Sequence, residues 1–315
     1  MTALLFGIIH TWLVVGFAPL ITGVVRLTKA RLQGRRGATV LQPYRDLWRL
    51  LKKESVVADS ASWMFRLAPY GIFVAVWLAA TTMPTFTTYM ILTPAADLIA
   101  LVALLATARF FTALAGLDVG TAFGGLGASR EMFVASIAEP AMLTVTFSLS
   151  LVAHTTSPAA IANFVLGGHV GLQVSFGLAL GALVMVAIAE NGRIPIDNPA
   201  THLELTMVHE AMVLEYSGRH LALLEAAGMT RLLLYMSVIV CLFFPWGLAG
   251  PESGPGGLLI GLFAWLGKVL VMAVGLGLFE SLIAKMRVFR VADFLGGALL
   301  LALLATIFLY VAEAV

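Results

Sequence analysis

Residues 177–197 read GLALGALVMVAIAENGRIPID. The stretch is apolar or glycine as far as Ala189 and then changes, within one helical turn, to Glu190, Asn191, Gly192 and Arg193. An apolar run that ends in charge is what a helix shows where it leaves a bilayer core. The polar island that follows runs to Arg219. It holds Glu190, Asp197, Glu204, Glu210 and Glu215, five of the chain's seventeen carboxylates, together with His202 and His209. The rest of the 315 residues is mostly oil: 60% are hydrophobic and only 11% charged, against about 25% charged in a soluble domain. So dense a polar segment in so apolar a chain marks the place where function is to be sought.

Other apolar runs reach the roughly 18 residues needed to cross a bilayer as a helix. The expectation is an all-α polytopic membrane protein, a single integral domain over 1–315, with eight transmembrane helices near 3–26, 67–90, 95–116, 131–153, 170–190, 231–249, 256–282 and 291–312. The first run, Leu4–Val25, is of full span length with no Ala-x-Ala site after it, and reads as a retained helix.

Ten of the nineteen Lys and Arg residues fall between Arg26 and Arg66. Arg109 and Arg130 flank the connection after span three. Arg193, Arg219 and Arg231 follow span five, and Lys285, Arg287 and Arg290 follow span seven. The connections after spans two, four and six carry none. Positive residues mark the cytoplasmic side, so the polar segments 27–66, 117–130, 190–230 and 283–290 are expected there, with both termini on the opposite face. The even connections, with Pro84, Pro94, Pro158, Pro251 and Pro255, read as plain outer loops. The chain's one cysteine, Cys241, cannot by itself hold an iron–sulfur cluster or a structural zinc.

In the first polar segment, Tyr44, Leu47, Trp48 and Leu51 recur at helical spacing, with Arg45, Arg49 and Lys52 on other faces. That is an amphipathic helix, suited to an anionic lipid surface or to a docked soluble subunit whose cations Asp46 and Glu54 would meet. In the second, Gly124, Gly125 and Gly127 are not a nucleotide loop, since no strand precedes them and no Gly-Lys-Ser/Thr follows. They suit a tight turn or close packing, with Ser129 as the N-cap of span four. In the third, Asn198–Pro199 reads as a cap and first helical position, with a helix to about Tyr216 stopped at Gly218. His209–Glu210 lacks the second histidine of a zinc protease, because Val213 stands there.

Three ionisable residues lie inside spans. Glu139, followed by Pro140, is deep in span four, where a carboxylate normally faces the bundle interior or water. It is either hydrogen-bonded packing glue or a proton-carrying group. Lys268 needs a carboxylate partner, with Glu139 and Glu190 as candidates, or a lowered pKa. Glu280 reads as part of an end-of-helix network with Lys285, Arg287 and Arg290.

The chain resembles a known family in Arg35–Arg36–Gly37, Leu41–Gln42–Pro43–Tyr44–Arg45–Asp46, Gly127–Ala128–Ser129–Arg130–Glu131, Glu139–Pro140, Arg193–Ile194–Pro195 with Asp197, and Glu215–Tyr216–Ser217–Gly218. It is the family of NADH dehydrogenase subunit 1 of respiratory complex I. Within it the chain is most similar to the membrane subunits of formate hydrogenlyase and hydrogenase-4, in membrane-bound [NiFe] hydrogenase complexes.

The resemblance implies a multi-pass subunit of the cell inner membrane, not catalytic by itself. It would join a cytoplasmic redox arm (hydrogenase large- and small-subunit-like proteins and iron–sulfur subunits) to antiporter-like membrane subunits. It would bind no cofactor of its own, with the [NiFe] centre and the clusters in the partners and a quinone left open; nucleic acid is not an expected partner. By position, Glu139, Glu190, Asp197, Glu204 and Glu215 would line a chain of buried carboxylates, with Lys268 and Glu280 as further coupling candidates. Arg35, Arg36, Asp46, Asp118, Arg130, Glu131 and Arg193 would serve the redox-arm contact. The chain departs from the pattern at Arg36–Gly37–Ala38, at Pro195–Ile196–Asp197, and at Ala200–Thr201–His202–Leu203–Glu204–Leu205, where one acid stands in place of three. His202 or His209 could then stand in for lost carboxylates, because imidazole titrates near neutral pH. A quinone-reactive membrane subunit and a stand-alone secondary transporter with a broken helix at Pro195–Pro199 are the rival readings, beside a purely structural anchor.

Overall fold

The structure, a computed structural model, describes residues 2–88, 96–168, 174–193, 208–250, 253–284 and 290–314. Among these residues it is almost entirely helical. The elements are α1 (Thr2–Leu32), α2 (Gln42–Lys52), α3 (Trp63–Thr82), α4 (Leu98–Asp118), α5 (Ala122–Ala153), α6 (Pro158–Leu166), α7 (Val174–Glu190), α8 (His209–Val213), α9 (Gly218–Phe243), α10 (Pro255–Leu282) and α11 (Val291–Ala314). Seven of them are long and apolar enough to cross a membrane, and α7 is a shorter apolar helix. Helices are what an apolar chain in lipid must form, since every backbone polar group has to be satisfied within the segment.

Local chemistry fixes several helix starts. The Ser62 side chain accepts from Met64 N at 3.0 Å, Asp97 from Ile99 N at 2.7 Å, and Thr121 from Gly124 N at 3.2 Å. Each oxygen takes up one of the orphan donors of a first turn. Thr121, not Ser129, is therefore the cap of α5, and the glycines expected in a turn lie inside that helix. A Cβ at Gly124 would meet the carbonyl oxygen of Gly116 at 2.2 Å, and one at Gly127 would meet that of Val208 at 2.9 Å. These glycines let α4 and the start of α8 approach the backbone of α5.

Several boundaries move from those expected. Span two ends at Thr82, and Thr87 forms an isolated bridge to Ala249. Span six begins thirteen residues earlier than expected, at Gly218, and ends at Phe243, just before Pro245. Gly218 opens that helix instead of stopping the preceding one. It has φ +54°, and a Cβ on it would meet the Glu54 carbonyl oxygen at 2.3 Å. The loop after span four is not plain, because it carries α6 with Pro158 in its first turn. The proposed cap Asn198–Pro199 lies outside the described residues, and the described part of that predicted helix is α8 alone.

The bundle is built around α9, whose most apolar window is 89% buried against 22% for that of α10. It packs on α1, α2, α3, α6, α7 and α10. One core joins α9 to α4, α5, α7 and α11 through residues such as Leu105, Val145, Leu183, Val238 and Ala302. A second joins it to α1 and α10 through Ile21, Leu233, Trp265 and Val269. The amphipathic α2 forms as predicted. Its Leu47 joins the second core, and the Tyr44 hydroxyl donates to the carbonyl oxygen of Gly16 in α1. Trp48 and Leu51 from the same stripe stay exposed, with Lys52 Nζ 4.9 Å from the centre of the Trp48 ring.

Candidate functional site: a buried arginine among three carboxylates

Arg109 lies just past the middle of α4 and is one of the most completely buried large side chains, 2% exposed. Its Nε is 3.0 Å from Glu131 Oε1, and its Nη1 is 3.9 Å from Glu139 Oε1. Its Nη2 pairs with Glu190 Oε2. Glu131 and Glu139 come from α5, eight residues apart and so close to the same face of that helix. Glu190 is the last residue of α7. One planar guanidinium, always charged and able to fork between acceptors, thus draws three helices together. Tyr235 of α9 has Glu190, Arg109 and Arg231 as charged neighbours.

The three carboxylates differ in access. Glu131 and Glu190 are buried, with 11% and 7% of their side chains exposed, while Glu139 is 37% exposed and stands farthest from the guanidinium. With the guanidinium charged, the trio needs further protons or cations to reach neutrality. Like charges sharing a low-dielectric site resist simultaneous ionisation.

A crevice of about 10 Å³ leads from Glu131 and Glu190 to His209 and Arg231, at the lower limit for one water. His209, Gly192 and Arg231 also line a polar cavity of about 270 Å³ between α1, α9, α10 and the end of α7. Burial, reinforced by the charge of Arg231, pulls the His209 pKa down to about 4. That downward shift runs against His209 as an acid's replacement that titrates near neutral pH. In the same cavity Glu280 is buried and bridges Lys29 Nζ of α1 at 3.0 Å and Arg193 Nη1 at 3.4 Å. Its described partners are these two, while Lys285 and Arg287 lie outside the described residues.

The other expected residues are not drawn to Arg109. Asp197, His202 and Glu204 fall outside the described residues. Glu215 is exposed. Lys268 meets neither Glu139 nor Glu190. Its Nζ donates to the carbonyl oxygen of Phe244 at 2.7 Å and to that of Trp246, capping the carbonyl end of α9. Of the docking candidates, Arg35 and Arg36 are exposed and Arg130 is half-buried. Asp118 accepts from Ser62 N and Oγ at 2.8 and 2.7 Å, tying α4 to α3. Asp46 accepts from Gln42 at 3.0 Å and from Arg49 at 3.3 Å within its own helix. Glu131 and Arg193 point inward to the ion pairs described above. From the sequence, Arg109 reads only as the end of a span. The signal that would have found it is a lone cation eleven residues into an apolar run, which in a membrane helix needs a carboxylate partner. No cluster of His, Cys, Asp and Glu suited to a metal occurs among the described residues.

The sequence model of the family described as "NADH dehydrogenase" matches residues 4–311. The chain belongs to the NADH dehydrogenase family, of the complex I subunit 1 type. Among relatives in this family, formate hydrogenlyase subunit 4 of Escherichia coli K12 is 34% identical over 285 residues, covering 90% of this chain and 92% of that protein. Hydrogenase-4 component C of the same organism is 35% identical over 283 residues, covering 90% and 88%. NADH-quinone oxidoreductase subunit 8 of Rhodothermus marinus is 30% identical over 259 residues, covering 79% and 71%. A chain from the structure of the membrane-bound sulfane sulfur reductase, an archaeal respiratory membrane complex, superposes with a TM-score of 0.79. That match covers 96% of this chain and 98% of that one, at 18% identity, and shows a shared fold. The family assignment agrees with the resemblance found in the sequence motifs, including the closer likeness to the hydrogenase-type subunits.

Proposed function

We propose that this chain is the membrane anchor and coupling subunit of a multi-subunit energy-converting complex of the hydrogenase and complex I-like type. It links a cytoplasmic redox arm to proton or sodium translocation. The observation that carries the reading is the Arg109 cluster: one cation and three carboxylates from three helices, inside a membrane bundle. A purely structural ion pair would need one acid. Two more acids give the site protonation states of different charge, and Glu139, the most open of the three, is the group able to exchange with its surroundings. His209 and Arg231 border the crevice on the other side of the cluster, towards the polar cavity, so charge changes at the redox arm have a short route to it.

The partners in this reading are hydrogenase large- and small-subunit-like proteins with iron–sulfur subunits on the cytoplasmic face, and antiporter-like subunits within the membrane. The [NiFe] centre and the clusters belong to the soluble partners. The exposed Arg35, Arg36, Trp48 and Leu51 provide a ledge for the cytoplasmic arm. The polar segments face the cytoplasm, in keeping with the distribution of Lys and Arg.

The test is Glu139→Gln in the assembled complex, reconstituted in vesicles. Electron transfer and subunit composition are expected to persist while ion translocation is lost. Unaltered translocation would leave the chain as an anchor only. Ion or solute movement by the purified chain alone would mean a stand-alone transporter. Co-purification of a large subunit with paired Cys-x-x-Cys motifs is the expected signature of the hydrogenase type.

A further inference from the structure

A second opening lies beside the polar cavity. It is an apolar slot of about 250 Å³ with Leu232, Met236 and Ile239 of α9 as its floor, Val184 of α7 on one side and Gly275 and Phe279 of α10 on the other. Both α7 and α10 pack on α9, and the slot runs between them. From Leu232 to Ile239 it follows α9 for about 10 Å at 1.5 Å per residue. Asn191 and Arg193 line both the slot and the polar cavity. The two openings therefore form one amphiphilic site, polar at one end and oily along its length.

The polar end has an unmet charge. Arg26, Lys29, Arg193 and Arg231 line it against Glu210, Glu225 and Glu280. Glu280 occupies Lys29 and Arg193. Among the described residues neither Arg26 nor Arg231 makes an ion pair. Arg231 Nε is a buried donor without a hydrogen-bond partner, and Asn191 Oδ1 is a buried acceptor without one. Buried polar groups normally find partners, and an unmet guanidinium donor calls for an anion. A ligand that answers these groups has an anionic oxygen for Arg231, a hydroxyl for Asn191 and an apolar tail for the slot.

We propose that the chain holds one anionic phospholipid here, its phosphate on Arg231, a headgroup hydroxyl on Asn191 and an acyl chain in the slot between α7 and α10. A quinone has the tail, and its carbonyl could accept from Arg231 Nε, but it brings no negative charge to the basic end and no hydroxyl for Asn191. This site adjoins the Arg109 cluster through the crevice at Arg231, but its test reads lipid occupancy and does not rest on the coupling role of that cluster.

The experiment is photolabelling of the intact complex in vesicles, with phosphatidylglycerol carrying a diazirine in its acyl chain and with phosphatidylcholine carrying the same group. Phosphatidylglycerol is expected to label 184–188 of α7 and 272–279 of α10 about tenfold more than phosphatidylcholine: both carry the phosphate, but choline sets a fixed positive charge against Arg26, Lys29, Arg193 and Arg231 and has no hydroxyl for Asn191. Arg231→Gln removes the partner of the phosphate and should lower slot labelling by both lipids about tenfold. Gly275→Leu adds a side chain at a position where a Cβ meets nothing within 4 Å, and it should suppress slot labelling by both. Equal labelling by the two lipids, or phosphatidylglycerol labelling unaltered in Arg231→Gln, would overturn the proposal. So would displacement of the label by excess menaquinone, which would make the occupant an uncharged isoprenoid. Should Arg231→Gln fail to assemble, unaltered slot labelling in Gly275→Leu is the overturning result.

Discussion

Arg109 Nε lies 3.0 Å from Glu131 Oε1, joining α4 to α5 at a point where both side chains are buried. Removing the cation would leave Glu131 and Glu190 without their counter-charge inside the bundle. Breaking a buried pair from one side costs about 3–5 kcal/mol. Arg109→Met is therefore expected to lower the amount of assembled complex in membranes sharply and to depress its melting temperature in detergent. Arg109→Lys should recover only part of the loss, because an ammonium is a point charge without the planar fork. Normal abundance of the Met variant would show that the pairs carry no structural weight.

The three acids should separate by experiment. Glu139 is partly exposed and 3.9 Å from the guanidinium, so Glu139→Gln is expected to cost no more than about 1 kcal/mol, as for an exposed pair. Glu131→Gln breaks a buried pair and should cost more, about 3 kcal/mol. Thermal denaturation of the two variants in detergent measures the contrast. Equal losses would mean that access does not rank the acids.

Gly218 and Glu54 make a different kind of contact. The glycine has a left-handed φ of +54°, and its missing Cβ would sit 2.3 Å from the Glu54 carbonyl oxygen. Gly218→Ala carries about 1–2 kcal/mol for the backbone conformation alone and the clash in addition. It is expected to loosen the 53–56 segment from the start of α9, where Ser217 Oγ donates to Val56 O at 2.9 Å. Faster proteolysis between Lys52 and Val57 would report the loosening, and an unaltered cleavage rate would refute it.

His209 gives the protein an acid limb. Its folded-state pKa of about 4 lies below the ordinary value of about 6.5. The unfolded chain therefore binds a proton between these values that the folded chain refuses, and stability falls as pH drops from about 6.5 to about 4. The full shift is worth at most about 3 kcal/mol. His209→Leu should flatten the melting temperature across that window. A parallel pH profile for variant and parent would remove His209 as the cause.

Much of the architecture was legible from one-dimensional features. Apolar runs located the long helices, and the Tyr44, Leu47, Trp48, Leu51 spacing located α2. Contacts between segments distant in sequence were not. Gly218 looks like a helix stop until the Glu54 carbonyl is seen above it. Glu131 reads as the first residue of span four and, by family position, as a redox-arm contact, whereas α5 starts nine residues earlier and turns it inward to Arg109. Lys268 was given carboxylate partners because they are the commonest answer to a buried cation. The freed carbonyls at the end of α9 answer the same need, and nothing in the local sequence announces them. The site is half legible: Glu139 and Glu190 stand out by position, while the arginine that organises them reads as a boundary marker.

Opposite faces of α9 belong to different cores, with Leu234 and Val238 in one and Leu233 and Val240 in the other. The helix is thus the shaft on which two half-bundles are mounted, about 39 Å long at 1.5 Å per residue. One end is pinned beneath Glu54 at Gly218, and the other is gripped by Lys268. A shaft packed on every side cannot bend locally to absorb a push. Any displacement imposed at the Gly218 end must arrive at the far end as a rotation or a slide of the whole rod, carrying Tyr235 past Glu190 as it goes.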